Sequence, residues 1–235
     1  MKGRINSIQT LGTLDGPGVR FVLFMQGCPL RCAFCHNPDT WDISGGEEKD
    51  ADEIVAMVGR YREYLGKDGG ITLSGGEPLL QADFVYELFD LCKKANIHTA
   101  LDTSGCIWDE RVDRLLSVTD LCLLDYKMTT DEQYRKHVGC SISAPEMFLE
   151  KLEERSVSTW LRQVIISGVN DSAESVIRLR RLAEKHSCVK KIELLKFRKL
   201  CAPKYENLGI EFPFGNLPET KAEDISAIMS AIGKR

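Results

Sequence analysis

Three cysteines crowd into one short segment, Gly27-Cys28-Pro29-Leu30-Arg31-Cys32-Ala33-Phe34-Cys35-His36-Asn37. A Cys-x3-Cys-x2-Cys loop lets three thiolates meet one soft metal centre if the backbone curls. Structural zinc takes four ligands, commonly as paired Cys-x2-Cys units. An electron-carrying [4Fe-4S] cluster takes four cysteines. The chain has nine cysteines, but the other six (Cys92, Cys106, Cys122, Cys140, Cys188 and Cys201) are scattered, and they read as small buried apolar residues. Three ligands leave one iron of a cluster open to bind substrate directly, which suits catalysis better than electron carriage. Two other readings stand beside it. One is zinc with His36 as fourth ligand, a strained geometry because His36 adjoins Cys35. The other is three unligated thiols.

Further along, Ser74-Gly75-Gly76-Glu77-Pro78 follows an apolar run. Paired glycines let a backbone approach a ligand closely. Their carbonyls and Glu77 can accept hydrogen bonds from an ammonium group. The same residues also suit a plain strand-to-helix turn. Asp102, followed by Thr103, and Asp125, followed two residues later by Lys127, each close an apolar run. Such carboxylates can hold ribose hydroxyls or a cation, or serve as helix caps or surface ion pairs. Arg162 lies inside the apolar stretch Thr159–Ile166. A buried guanidinium needs an anion beside it, either a cofactor carboxylate or a buried Asp or Glu.

The elements that must hold these residues alternate. Strands are expected at 20–25, 70–74, 98–102, 121–125, 159–166 and 191–195, where apolar runs are short and bounded by polar residues. Helices are expected at 51–64, 82–94, 144–155, 172–186 and 218–232, from apolar spacing of three and four. Strands separated by crossover-length segments imply a parallel sheet with right-handed connections. Ser74, Asp102 and Asp125 then fall at carboxyl ends of strands, where α/β folds place their ligands. Six units are too few for a closed eight-stranded barrel. The expected fold is α/β, a partial (β/α)6 barrel with the cysteines at the carboxyl ends of the strands. An open sheet also fits.

The chain has 235 residues, of which 43% are hydrophobic and 28% charged, so one soluble domain over 1–235 is expected. A net charge of −4 gives no electrostatic footprint for nucleic acid. No apolar run approaches the ~20 residues of a membrane span, and Met1-Lys2-Gly3-Arg4-Ile5-Asn6 lacks a signal-peptide core. A cytoplasmic monomer with reduced thiols is expected.

Cys28-x3-Cys32-x2-Cys35, with Phe34 before the last cysteine, resembles the radical S-adenosylmethionine superfamily. The resemblance implies three irons on these cysteines. The amino and carboxylate groups of S-adenosylmethionine would chelate the fourth iron, and one electron would cleave the sulfonium to methionine and a 5′-deoxyadenosyl radical. The segments 13–21, 26–28, 35–41, 73–81, 98–105 and 124–127 resemble the pyruvate formate-lyase activating enzyme family. That resemblance implies hydrogen abstraction from a glycine α-carbon of a partner glycyl-radical enzyme, most simply pyruvate formate-lyase. Flavodoxin or ferredoxin would be the electron donor, in an anaerobic setting. It assigns cofactor contacts to Phe34, His36, Asn37, Gly75, Gly76, Glu77, Asp102, Asp125, Lys127 and Arg162. It also places a monovalent cation on Asp102, Thr103 and Asp125, and turns Asp15 and Arg20 towards the partner's glycine loop. The stretch 36–74 contains no cysteine, which disfavours activases carrying a ferredoxin-like insert there. Activases of anaerobic ribonucleotide reductase are similar but typically shorter. One departure stands out: the family usually reads Leu-Pro-Tyr-His where this chain has Leu195-Lys196-Phe197-Arg198. The alternatives are an activase of another glycyl-radical enzyme, a radical enzyme acting on a small molecule, and a non-catalytic metal-binding module.

Overall fold

The computed structural model describes residues 1–232. The chain opens with strand β1 (Lys2–Gly12) and β2 (Arg20–Met25), then β3 (Glu47–Asp50), helices α1 (Ala51–Arg60) and α2 (Arg62–Leu65), and β4 (Gly70–Gly75). It continues through α3 (Ala82–Lys94), β5 (His98–Thr103), α4 (Glu110–Leu116), β6 (Leu121–Asp125), α5 (Asp131–His137) and α6 (Ser143–Glu154). β7 (Ser158–Ile165), α7 (Ala173–Lys185), β8 (Val189–Lys196), α8 (Ala202–Leu208) and α9 (Ala222–Ile232) complete it. Short 3-10 turns at Pro38–Thr40 and Pro78–Gln81 follow the cysteine loop and the glycine pair.

One sheet holds all eight strands in the order β3-β1-β2-β4-β5-β6-β7-β8 and does not close. The six strands from β2 to β8 run parallel. They are the six expected from the sequence, and the partial barrel stands. Their apolar runs are long because both faces are covered. Phe21, Leu23, Ile71, Leu73, Leu101, Cys122, Leu124 and Leu161 face the helices, sharing one core with Phe84, Leu88, Val112, Phe148 and Leu179. Ala100, Leu121 and Leu123, with Trp160, face the other way and floor the inner side.

Two strands go beyond the expected six. β1 pairs antiparallel with β2 and with β3, extending the sheet at one edge. The expected helix 51–64 breaks at Tyr61, whose ψ of 4° leaves the helical region, giving α1 and α2. The last helix starts at Ala222 rather than Pro218. Each parallel strand delivers its carboxyl end to the same side, so the 26–37 loop, the 74–78 turn, Asp102 and Asp125 meet there.

Candidate active site

The loop after β2 carries the cysteines. The turn after β4 fixes it from below. The Gly76 amide donates to the Met25 carbonyl at 2.9 Å and the Glu77 amide to the Gly27 carbonyl at 2.8 Å. Both glycines are demanded by this contact. Gly75 has φ +100°, and a Cβ there would stand 2.5 Å from the Met25 nitrogen. A Cβ on Gly76 would stand 2.2 Å from the Gly27 carbonyl oxygen. The sequence suggested room for a ligand; the close approach seen here is of one protein backbone to another.

Other segments pin the loop from above. The Ala33 amide donates to the His137 carbonyl at 2.8 Å. Tyr205 Oη donates to the Cys35 carbonyl at 3.1 Å, and Lys204 Nζ reaches Asn37 Oδ1 at 2.9 Å and Asp39 at 3.0 Å. Phe34 is buried and stacks on Phe214, 6.1 Å between ring centres. His36 sets Nε2 against the Arg198 carbonyl at 2.9 Å. That side chain is therefore engaged away from the thiols, against its reading as a zinc ligand. Among the described residues, no three His, Cys, Asp or Glu side chains converge on a single ion. A cubane sets each thiolate on a different iron, so its ligands stand around a volume rather than a point.

The three cysteines line one cavity of about 330 Å³ together with Phe34, His36, Asn37, Gly75, Gly76, Glu77, Asp102, Thr103, Asp125, Lys127 and Arg162. Cysteine residues elsewhere do not line it. Burial pushes the Cys28 and Cys32 thiols up to about 12 and raises Cys35 as well. All three are neutral at physiological pH until a metal displaces their protons. A three-thiol donor set walled by polar groups fits an open-iron cluster and a charged cofactor beside it.

A charged row crosses the sheet beside the cysteines. Asp125 and Arg162 are register partners on β6 and β7. Lys127 Nζ donates to Asp125 Oδ2 at 2.9 Å and lies 6.0 Å from the Phe34 ring centre. Arg162 Nη1 stands 3.3 Å from Asp102 Oδ1, and its Nε stands 3.5 Å from Glu193 and 4.0 Å from Asp125. Arg162 thus has partly buried acids as its anions. Even so, its Nε and Nη1 and Asp102 Oδ1 make no aligned hydrogen bond. Burial raises the Asp102 carboxyl, with Arg162 opposing. Burial also works against charge at Asp125, but Lys127 and Arg162 outweigh it and hold that carboxyl low.

Two assignments change. Arg20 does not face a partner: it is fully buried, donating to Thr72 Oγ1 at 2.9 Å and to the Ile71 carbonyl, with His98 Nδ1 at 3.3 Å. Burial lowers its pKa to about 10. Asp15, in contrast, lines the cavity. Glu77 is not a free acceptor, because its buried carboxylate takes hydrogen bonds from Thr103 Oγ1 at 2.5 Å, the Ser104 amide at 3.0 Å, Ser104 Oγ and the Leu79 amide at 3.2 Å. Lys196 and Arg198 stay off the cavity wall; Arg198 pairs with Glu219 at 3.2 Å. Ser74, expected at a strand's carboxyl end but given no contact there, donates to Asp102 Oδ2 at 2.7 Å, and the sequence missed Glu193. A lone acid within the apolar run Ile192–Leu195 was the available signal for Glu193.

The fold is thus a half-barrel of six parallel strands with a three-cysteine loop at its carboxyl end. Residues 22–180 match the Radical SAM superfamily. The chain is 39% identical over 237 aligned residues to the pyruvate formate-lyase-activating enzyme of Listeria monocytogenes, covering 98% of this chain and 95% of that one. It is 41% identical over 229 residues to the pyruvate formate-lyase 1-activating enzyme of Escherichia coli K12, covering 96% and 93%. A domain of a pyruvate-formate lyase-activating enzyme from Bacteroides vulgatus shares the fold, with a TM-score of 0.58 at 20% identity over 70% of this chain and 92% of that chain. The chain belongs to the pyruvate formate-lyase-activating enzyme family of the radical SAM superfamily. Membership brings a [4Fe-4S] cluster and S-adenosylmethionine. No helix among the described residues is long and apolar enough to cross a membrane.

Proposed function

We propose that this chain is a glycyl-radical enzyme activase whose protein substrate is a pyruvate formate-lyase. The observation that carries the reading is the three-thiol loop seated on the Gly75-Gly76 turn, walled by a charged row, in a chain about 40% identical to named activating enzymes. When bound, the cluster and S-adenosylmethionine supply a 5′-deoxyadenosyl radical that takes hydrogen from a partner glycine.

The chain's own residues position and balance charge. Cys28, Cys32 and Cys35 hold the metal. Phe34 fixes the curl of their loop, and Asn37 and His36 tie it to the end of β4 and to the segment after β8. Gly75 and Gly76 bring the β4 turn to the cavity, with Glu77 bracing it against β5. Lys127 and Arg162 are the cations for the cofactor's carboxylate. Asp102 and Asp125 are the acceptors for its hydroxyls or for a monovalent cation. Thr103 turns its hydroxyl to Glu77, so it would serve that cation through its backbone. Asp15 faces the partner's glycine segment. We further propose a single domain, a monomeric state, a cytoplasmic and oxygen-free setting, and flavodoxin or ferredoxin as the reductant.

The test is electron paramagnetic resonance on anaerobically reconstituted protein. Reduced cluster should change its spectrum on adding S-adenosylmethionine, and a glycyl-radical doublet should follow when pyruvate formate-lyase is added. A cluster blind to S-adenosylmethionine would refute the chemistry. A responsive cluster that leaves pyruvate formate-lyase without its doublet would refute the partner.

A further inference from the structure

Glu193 has no role in the site as read from sequence, yet it touches the guanidinium at the site's centre. Arg162 and Glu193 are register partners on β7 and β8. Their side chains are only 9% and 19% exposed, and Glu193 Oε2 stands 3.5 Å from Arg162 Nε. The other oxygen, Oε1, takes a bond from Lys191 Nζ at 2.6 Å. That ammonium lies 3.9 Å from the Trp160 ring centre on the inner floor. On the far side, Arg162 faces Asp102, which Ser74 holds at 2.7 Å. A continuous chain of contacts therefore runs Trp160, Lys191, Glu193, Arg162, Asp102, Ser74, from the floor to the turn beneath the cysteines.

This chain is poorly built for stability. A buried ion pair offsets its desolvation only when hydrogen bonds are well aligned. Here Arg162 Nε, Arg162 Nη1, Asp102 Oδ1 and Glu193 Oε2 are all buried without one. What the contacts do secure is direction. Pulled by Glu193 at Nε and by Asp102 at Nη1, the guanidinium plane is held across the cavity wall. Asp125, paired with Lys127, stands 4.0 Å from Nε, and Asp15 adds a further negative charge nearby.

We propose that Glu193 is a positioning residue, which aims Arg162 at the carboxylate of S-adenosylmethionine and is itself set by Lys191 on Trp160. The proposal rests on Arg162 meeting that carboxylate, and its test separates the two ideas. In the reconstituted holoenzyme, Glu193→Gln keeps the shape and removes the charge. S-adenosylmethionine should bind about tenfold more weakly, with iron content and melting temperature unchanged. Arg162→Gln should weaken binding at least as much. The double variant should bind no worse than Arg162→Gln alone, since Glu193 acts only through Arg162. Unchanged affinity in Glu193→Gln beside a weakened Arg162→Gln overturns the proposal and spares the site reading. Additive losses overturn it too, since Glu193 would then act independently. Lost iron or a collapsed melting temperature in Glu193→Gln makes the residue a structural one. Normal binding by Arg162→Gln removes the reading and the proposal together.

Discussion

Cys28, Cys32 and Cys35 share a cavity that no other cysteine lines, so each is irreplaceable as a ligand. Replacing any one with alanine should leave protein that cannot retain a [4Fe-4S] cluster or cleave S-adenosylmethionine, read as iron content and methionine release. Cys106→Ala and Cys188→Ala should keep their iron. Asp125 makes a different case. It pairs with Lys127 at 2.9 Å and faces Arg162 at 4.0 Å, and both cations hold it ionised against burial. Asp125→Asn leaves Lys127 without its acid and takes one of three acids from Arg162. Affinity for S-adenosylmethionine should fall about a hundredfold, since unbalancing a desolvated charge set costs a few kcal/mol. A titration with an iron assay on the same sample distinguishes this from a cap, which would leave affinity unchanged, and from a cluster support, which would lose iron.

The glycine turn and the cysteine loop behave as one element. A methyl group on Gly76 would meet the Gly27 carbonyl oxygen, a backbone atom that moves only if the loop moves. Gly76→Ala should therefore fold, because the sheet and helices are untouched, yet bind well under one cluster per chain. Circular dichroism with an iron assay checks both halves. The motif was legible in the sequence and its reason was not, because neighbours fifty residues apart leave no trace in spacing. The same limit explains other gaps. The six parallel strands were readable because burial on both faces makes their apolar runs continuous. β3 is Glu47-Glu48-Lys49-Asp50, and charge pairs such as Arg4–Glu48 at 3.3 Å align it on β1. A strand paired through its backbone at the sheet edge, with charged side chains throughout, carries no hydrophobic alternation to find. Arg20 was turned towards the partner by the family resemblance alone, which says nothing of what packs around it. Only the fold shows Thr72, Ile71 and His98 closing over it.

At the scale of the molecule, the last quarter of the chain closes over the first. Arg198, Lys204, Tyr205 and Phe214 all reach the segment 34–39. Phe214→Ala removes the ring that covers Phe34, a loss of about 3 kcal/mol for a well-packed aromatic. It should fall mainly on the loop: a chelator should strip iron several-fold faster, while the urea midpoint of the sheet shifts little. This arrangement also bears on when the site can exist during synthesis. At about 5–20 residues per second, roughly 10–35 s separate the emergence of Cys35 from that of Phe214. Through that interval the nascent chain carries its three thiols without Tyr205 or Phe214 to hold their loop. Iron delivered then would meet a loop braced by the Gly76 turn and His137 but not yet covered by Phe214. Iron bound before Phe214 emerges should therefore be lost more readily than iron bound afterwards.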